Sequence, residues 1–316
     1  MIRTAECITP KHPDKICDRI SDAILDACLE QDPNTRAAIE TMGGHGIISV
    51  TGELTTTAYV EIPDIVRSVY DDDIGIQTNI VKQSPEISQG VDTGGAGDQG
   101  IMIGYACNEN EEYVPQEYYL ARKLCKFLYS KFPYDGKTQV TMNGNSLRVV
   151  CSFQNAPGEE LRSLVLQYFE DYPQYHIESL HCNPAGDWNI GGFVADTGLT
   201  GRKLAVDNYG PRIPLGGGAF SGKDASKVDR SAAYAARRVA VDYLKKYKAQ
   251  EVYVTLAYAI GYDKPLQATA IVDGEHKFIN DYDLSPNGIV RMLDLKKPIF
   301  SKTANWGHMG NKFSWK

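Results

Sequence analysis

The sequence lacks any apolar run near the roughly 20 residues that a membrane-spanning helix needs. Its start also lacks the basic-then-apolar pattern of a secretory signal. The seven cysteines (Cys7, Cys17, Cys28, Cys107, Cys125, Cys151 and Cys182) are odd in number, and no two stand at the close spacing of a zinc site. They therefore supply neither a disulfide framework nor a metal knuckle, and argue for reduced thiols in a cytoplasmic protein. An excess of positive charge is missing too: the formal net charge is −7, which argues against nucleic acid as the main partner. What remains is ordinary for a soluble globular chain, with 316 residues, 42% hydrophobic and 23% charged. That length suffices for two or three units with real cores. Against the acidic background, clustered lysines and arginines need a local reason, and a polyanionic small ligand is the simplest.

Asp14 to Glu30 reads as an amphipathic helix, with Ile16, Ile20, Ile24, Ala27 and Cys28 on one face and Asp18, Asp22 and Asp26 on another. Pro13 suits its first turn. Strand character follows around 46–62, then a short helix led by Pro63 through Tyr70. The order recurs: a helix at 114–130, strands at 137–143 and 146–153, and a helix from Pro157 to Phe169. It recurs again with a helix at 228–247, strands at 251–260 and 266–272, and a helix from Ser285 to Leu293. Strand openings rhyme as Ser49-Val50-Thr51, Gln139-Val140-Thr141 and Tyr253-Val254-Thr255. The pattern favours an α+β fold of three similar domains about a pseudo-threefold axis, against three unrelated segments. Boundaries are expected at 1–93, 94–190 and 191–316, with the glycine-rich stretches 90–104 and 191–222 as linkers where ligand sites lie.

The densest chemistry lies in Gly216–Arg238, where glycines and the cations Lys223 and Lys227 precede a helix. Glycines let a backbone approach a ligand, and a helix start favours anions, so this stretch is expected to hold phosphate. It nearly spells a P-loop, but Asp224 stands where a hydroxyl should reach magnesium, which argues against one. His12-Pro13-Asp14-Lys15 opens the first helix, where Asp14 is either a capping residue or a metal ligand beside phosphate. The run 83–104 carries Asp92, Asp98 and Gln99 among many glycines and reads as a mobile gate. Asp196 to Lys203 adds the pair Arg202-Lys203, and Glu40, Glu53 and Asp229 are candidate hard-cation or amine-binding carboxylates.

Together these motifs resemble the S-adenosylmethionine synthetase (methionine adenosyltransferase) family along nearly the whole chain. The resemblance rests on 12–15, 94–100, 198–203, 216–238 and the ending with Leu293-Asp294-Leu295 and Gly307-His308. It implies three α+β domains about a pseudo-threefold axis and a reaction joining methionine to ATP. The sulfur would attack ribose C5′, and the released triphosphate would be cleaved to phosphate and pyrophosphate. By matching motif, His12, Arg202 and Lys223 would be catalytic. Asp135, Lys137, Trp188, Asp196, Lys203, Ala219 and Ile260 would join them around ATP. Glu53, Gln89, Asp98, Asp196 and Lys227 would contact methionine, Asp14 and Asp229 would hold two Mg²⁺, and Glu40 would hold K⁺. A homodimer or a dimer of dimers with shared sites is implied.

The chain departs from the family at Trp188-Asn189-Ile190-Gly191-Gly192-Phe193, at Thr9-Pro10-Lys11 before His12, and in a shortened gate after Asp92. The short gate leads to an expectation of incomplete closure and wider acceptance of S-alkyl analogues. Rival readings are a P-loop phosphotransferase, which would release ADP, and a non-catalytic nucleotide-binding protein. The latter would not need His12, Asp14, Lys137, Lys223 and Asp229 together.

Overall fold

A computed structural model describes residues 1–71, 73–84, 94–310 and 313–315. Three four-stranded sheets form among the described residues. The first contains β2 (Arg36–Gly44), β3 (Ile47–Thr55), β4 (Gly75–Val81) and β9 (Gly198–Leu199), in the order β4-β3-β2-β9. The second, β8-β7-β6-β1, uses β1 (Ile2–Ile8), β6 (Gly136–Asn143), β7 (Ser146–Phe153) and β8 (His176–Cys182). The third, β12-β11-β10-β5, uses β5 (Gly100–Cys107), β10 (Glu251–Tyr258), β11 (Gln267–Val272) and β12 (Glu275–Phe278).

Each third of the chain thus lends its first strand to another third's sheet. β1 pairs with β6, β5 with β10 and β9 with β2, all antiparallel. The exchange closes a cycle, so the three α+β units are laced together rather than strung in a row. Two single turns, α5 (Gly192–Ala195) and α6 (Leu204–Asp207), flank β9. One long helix covers each junction. α1 (Pro13–Gln31) lies on β2 and β9, α3 (Gln116–Tyr129) on β1 and β6, and α7 (Val228–Tyr247) on β5 and β10. Shorter helices α2 (Ile62–Val69) and α4 (Gly158–Glu170) cross over between parallel neighbours β3/β4 and β7/β8. The third unit differs, because β11 and β12 form an antiparallel hairpin and α8 (Pro286–Leu293) follows it.

The three-unit reading therefore holds, but the phase of the repeat differs. By sheet position β2, β6 and β10 are equivalent, whereas the sequence rhyme matches β3 to the other two. The reason lies in β2 itself: Arg36-Ala37-Ala38-Ile39-Glu40 has little strand propensity and is held by β3 on one side and by the bridge to Lys223 on the other. The expected linker 90–104 is also corrected at its end, since Gly100–Gly104 belongs to β5. That strand divides two cores. Met102 and Ala106 pack into one shared by the first and third sheets, while Tyr105 and Cys107 pack into that of the second. A strand buried on both faces shows no polar–apolar alternation, which hides it in the sequence.

Gly104 is where β5 touches α7: a Cβ there would lie 2.1 Å from the carbonyl oxygen of Ala236. Backbone cannot yield as a side chain does, so Gly104→Ala is expected to cost about 1–3 kcal/mol of stability. Urea unfolding of the two proteins measures it.

Candidate active site

The site is built outward from α1. Asp14, Asp18, Asp22 and Asp26 recur every four residues and so share one helix face. Each accepts backbone N–H from a different place. Asp14 Oδ1 takes Leu199 N at 2.9 Å, and Asp18 Oδ1 takes Gly201 N at 2.8 Å. Asp22 Oδ1 takes Gly222 N at 2.8 Å, and Asp26 takes Phe300 N and Ser301 N at 3.0 and 2.8 Å, where α9 (Phe300–Trp306) begins. The sequence reading sets Asp18, Asp22 and Asp26 on a face apart from the apolar one. Asp18 and Asp22 are instead part of the interior, no more than 1% exposed like Asp14, and Asp26 is half-buried.

Buried carboxylates need counter-charge. Lys15 supplies it to Asp18 at 3.1 Å and Asp207 at 2.6 Å. Arg230 grips Asp22 through both carboxylate oxygens at 2.6 and 2.8 Å, and also donates to the Lys223 carbonyl and to Thr303. Burial still pushes Asp18 and Asp26 up, and Asp207 up to about 6. Burial opposes the charge of Lys15 as well, but its two carboxylates outweigh that and raise it.

At the top of this ladder the side chains turn outward. The other oxygen of Asp14 meets the Lys203 ammonium, and Arg202 Nε lies 3.4 Å from Asp14 Oδ1. Burial pushes Asp14 up, yet Lys203 and the Leu199 amide more than reverse it. His12 caps α1, its Nδ1 accepting from Asp14 N at 3.2 Å. Burial and then Lys203 push His12 down to about 4, so it is neutral at pH 7. With Nδ1 accepting, Nε2 carries the proton and is a donor. Lys137 and Asp196 are near enough to act on the same imidazole. Asp135 Oδ2 accepts from Gly192 N at 3.1 Å, and burial pushes this carboxyl up to about 6. A cleft of about 330 Å³ opens beside it, lined by Lys11, Tyr70, Tyr134, Gln154 and Gly192. Trp188 is half-buried, its carbonyl accepting from Asn155 N.

The glycine-rich stretch forms the second half. Gly222 O accepts from Ile39 N at 3.0 Å and Asp224 N donates to Ala37 O at 3.1 Å, pinning it along β2. Gly222 has φ +81°, and a Cβ there would sit 1.9 Å from the Ile39 carbonyl oxygen, so only glycine fits. Lys223 then pairs with Asp229 at 2.7 Å. Lys227 pairs with Asp224 at 2.6 Å, and that carboxylate also accepts from Ala37 N. Asp224 is thus an internal brace, which agrees with the reading against a P-loop. The two loops touch, since a methyl on Gly201 would lie 2.7 Å from the Ala219 Cβ.

His12, Asp14, Lys137, Asp196, Arg202 and Lys203 are therefore gathered with Asp135, and Lys223, Lys227, Asp229 and Ala219 line the adjoining loop. Glu40, Glu53, Asp98 and Ile260 have no ion pair or side-chain bond to either cluster among the described residues; Glu40 and Asp98 are exposed and Ile260 is 54% exposed. Gln89 and the gate residue Asp92 lie outside the described residues. The sequence reading missed Lys15's partner Asp207, the Asp22–Arg230 pair and the bracing role of the aspartates. The four-residue spacing was the available signal.

No three His, Cys, Asp or Glu side chains converge to hold a metal unaided among the described residues. Asp14 and Asp229 each offer one carboxylate already paired with a cation, which suits a hard ion completed by phosphate oxygens. No helix among the described residues is long and apolar enough to cross a membrane.

Comparison with known proteins places the chain in a family. Profiles described as the N-terminal, central and C-terminal domains of S-adenosylmethionine synthetase match residues 1–91, 93–186 and 190–316. The S-adenosylmethionine synthase of Clostridium tetani (strain Massachusetts / E88) is 41% identical over 97% of this chain and 93% of its own length. The chain belongs to the S-adenosylmethionine synthetase family. It is an enzyme of the methionine adenosyltransferase type, with the family's three-domain α+β fold. The alignment runs over 370 positions against 316 residues here, so this family member is the shorter by internal deletion.

Two outcomes follow from the geometry. Replacing Asp22 by Asn leaves Arg230 charged and buried, and is expected to cost about 3–5 kcal/mol, read by urea unfolding. Asp135 gains a proton as pH falls through about 6 and loses charge toward the Gly192 amide. The acid limb of activity is therefore expected near pH 6 and should vanish in Asp135→Asn, which a pH–rate profile checks.

Proposed function

We propose that the enzyme forms S-adenosylmethionine from ATP and L-methionine by sulfur attack on ribose C5′, and then hydrolyses the triphosphate to phosphate and pyrophosphate. The observation that carries this reading is the pairing of Asp14 with Lys203 and Arg202, and of Asp229 with Lys223, on two loops that touch. Each carboxylate–cation pair can open to face a polyphosphate. A thioether sulfur has no proton to lose, so the reaction needs alignment and stabilisation of a highly anionic leaving group rather than a base.

In this reading the His12 Nε2–H donates to a phosphate oxygen near the breaking C–O bond, its neutrality at pH 7 leaving the net cationic work to lysine and arginine. Lys203, Arg202 and Lys223 move from carboxylates to phosphates, while Lys137 and Ala219 complete the ATP contacts. Trp188 offers a face for adenine and Ile260 a further wall. Two Mg²⁺ held by Asp14 and Asp229 would neutralise the phosphate oxygens, and K⁺ would rest at Glu40. Glu53, Gln89, Asp98, Asp196 and Lys227 are assigned to methionine. Lys227 acts there through Asp224, which fixes its ammonium.

A homodimer, or a dimer of such dimers, completes the site. Support comes from sheet residues left in solvent, including Met42 at 46%, Ile101 at 55% and Phe278 at 80% exposure. The carboxylates of Glu40, Glu53 and Asp98, which reach neither cluster, support it too. A cytoplasmic setting and units bounded at 93/94 and 190/191 belong to the same proposal. So does looser closure by the short gate.

Incubation with ATP, methionine, Mg²⁺ and K⁺ should yield phosphate and pyrophosphate in equal amounts with S-adenosylmethionine. Release of ADP would sink the reading. Lys223→Ala should keep its fold, by circular dichroism, while losing about 10³-fold in turnover.

A further inference from the structure

On the outside of the second unit, α3 meets α9 across a cleft of about 650 Å³. Arg122, Lys123, Lys126 and Lys302 line it with Trp306, and Glu112 is the one carboxylate in that described lining. None of these residues belongs to the clusters around Asp14 or Asp229.

The charges do not balance. Each of the three guanidinium nitrogens of Arg122 donates within the protein, to Glu112 at 2.7 Å and to the carbonyls of Trp306 and Met309 at 2.9 and 2.7 Å. Lys123 takes the other oxygen of Glu112 at 3.0 Å and lies 3.8 Å from Glu111 Oε1, so Glu112 serves two cations and the exposed Glu111 is turned to Lys123 alone among the cleft's cations. Lys126 is half-buried with its ammonium 5.5 Å from the Trp306 ring centre, and no carboxylate reaches it or Lys302 among the described residues. Burial, followed by Arg122, pushes Lys126 down to about 8. A partly desolvated ammonium with cationic neighbours is costly, and in a chain of net charge −7 the surplus is local.

The chemistry left to a ligand is selective. The planar fork of Arg122, which would suit a carboxylate, is already turned to protein oxygens through all three of its nitrogens. Mobile ammonium groups remain, and these act as point charges that suit phosphate oxygens spread along a chain. We propose that this cleft is an accessory binding site for a small oligophosphate anion, held by Lys126, Lys302 and Lys123. The proposal does not depend on the reaction assigned above. Because Lys126 already covers the Trp306 ring, the phosphates rather than a base carry recognition.

The test labels lysines of the full-length protein by reductive ¹³C-methylation, assigns the Lys126 signal with Lys126→Arg, and titrates in sodium pyrophosphate. This signal reports on the cleft even while pyrophosphate fills other sites. Saturable movement with Kd below about 1 mM is expected, with the Lys126 midpoint rising by about one pH unit. Lys302→Ala should weaken binding by about tenfold while the far-ultraviolet spectrum is unchanged. A non-hydrolysable nucleoside triphosphate in a parallel arm separates sources: equal or weaker binding marks inorganic oligophosphate, and tighter binding marks a nucleotide. A Lys126 signal unmoved by either ligand, or moved alike by sodium chloride at matched ionic strength, overturns the proposal.

Discussion

The structure depends on a row of carboxylates inside α1. Asp14, Asp18, Asp22 and Asp26 stand one turn apart and accept backbone amides from 199–201, from Gly222 and from the start of α9. A loop rich in glycine is expensive to order, because its backbone has so much freedom to lose. Charge-assisted hydrogen bonds from a packed helix supply that order without putting side chains in the ligand's way. Lys15 and Arg230 make the arrangement possible by neutralising the two deepest carboxylates.

The helix therefore has two roles along its length. Its lower turns brace, since Asp18, Asp22 and Asp26 are committed to protein groups. Its first turn reaches outward, where Asp14 pairs with Lys203 and Arg202. The strand exchange serves the same end. β9 directly precedes the Arg202-Lys203 turn and pairs with β2, and β2 also holds Lys223. One strand thus positions cations from two loops, and residues spread along the sequence from His12 to Asp229 are brought close together.

Much of this was legible beforehand, and the exceptions have physical causes. α7 and β7 match their expected spans, because helix periodicity and the alternation of apolar Leu147, Val149, Cys151 and Phe153 are strong local signals. β1 and β5 escape a sequence reading, since β1 pairs far from its own segment and β5 is buried on both faces. β2 escapes it through its alanines, which shifts the apparent phase of the repeat. His12, Asp14, Arg202, Lys203 and Lys223 are singled out by their motifs, and the fold brings them near one another. The bracing aspartates read as a separate polar face, because a buried carboxylate looks like an exposed one until its cation is found. Arg230, Asp207 and Asp22 are far apart in sequence, and only the fold reveals their pairing.

The central claim is that carboxylates of α1, rather than the loops' own packing, hold the backbone of the 199–201 and Gly222 loops in place. Hydrogen exchange at the Gly201 amide tests this most directly, comparing the native enzyme with Asp18→Ala and with global stability measured in parallel. The account predicts that this amide loses about 10²-fold or more of its protection while amides in α3 and β7 lose only what the global change allows. Unchanged protection at Gly201 would contradict it.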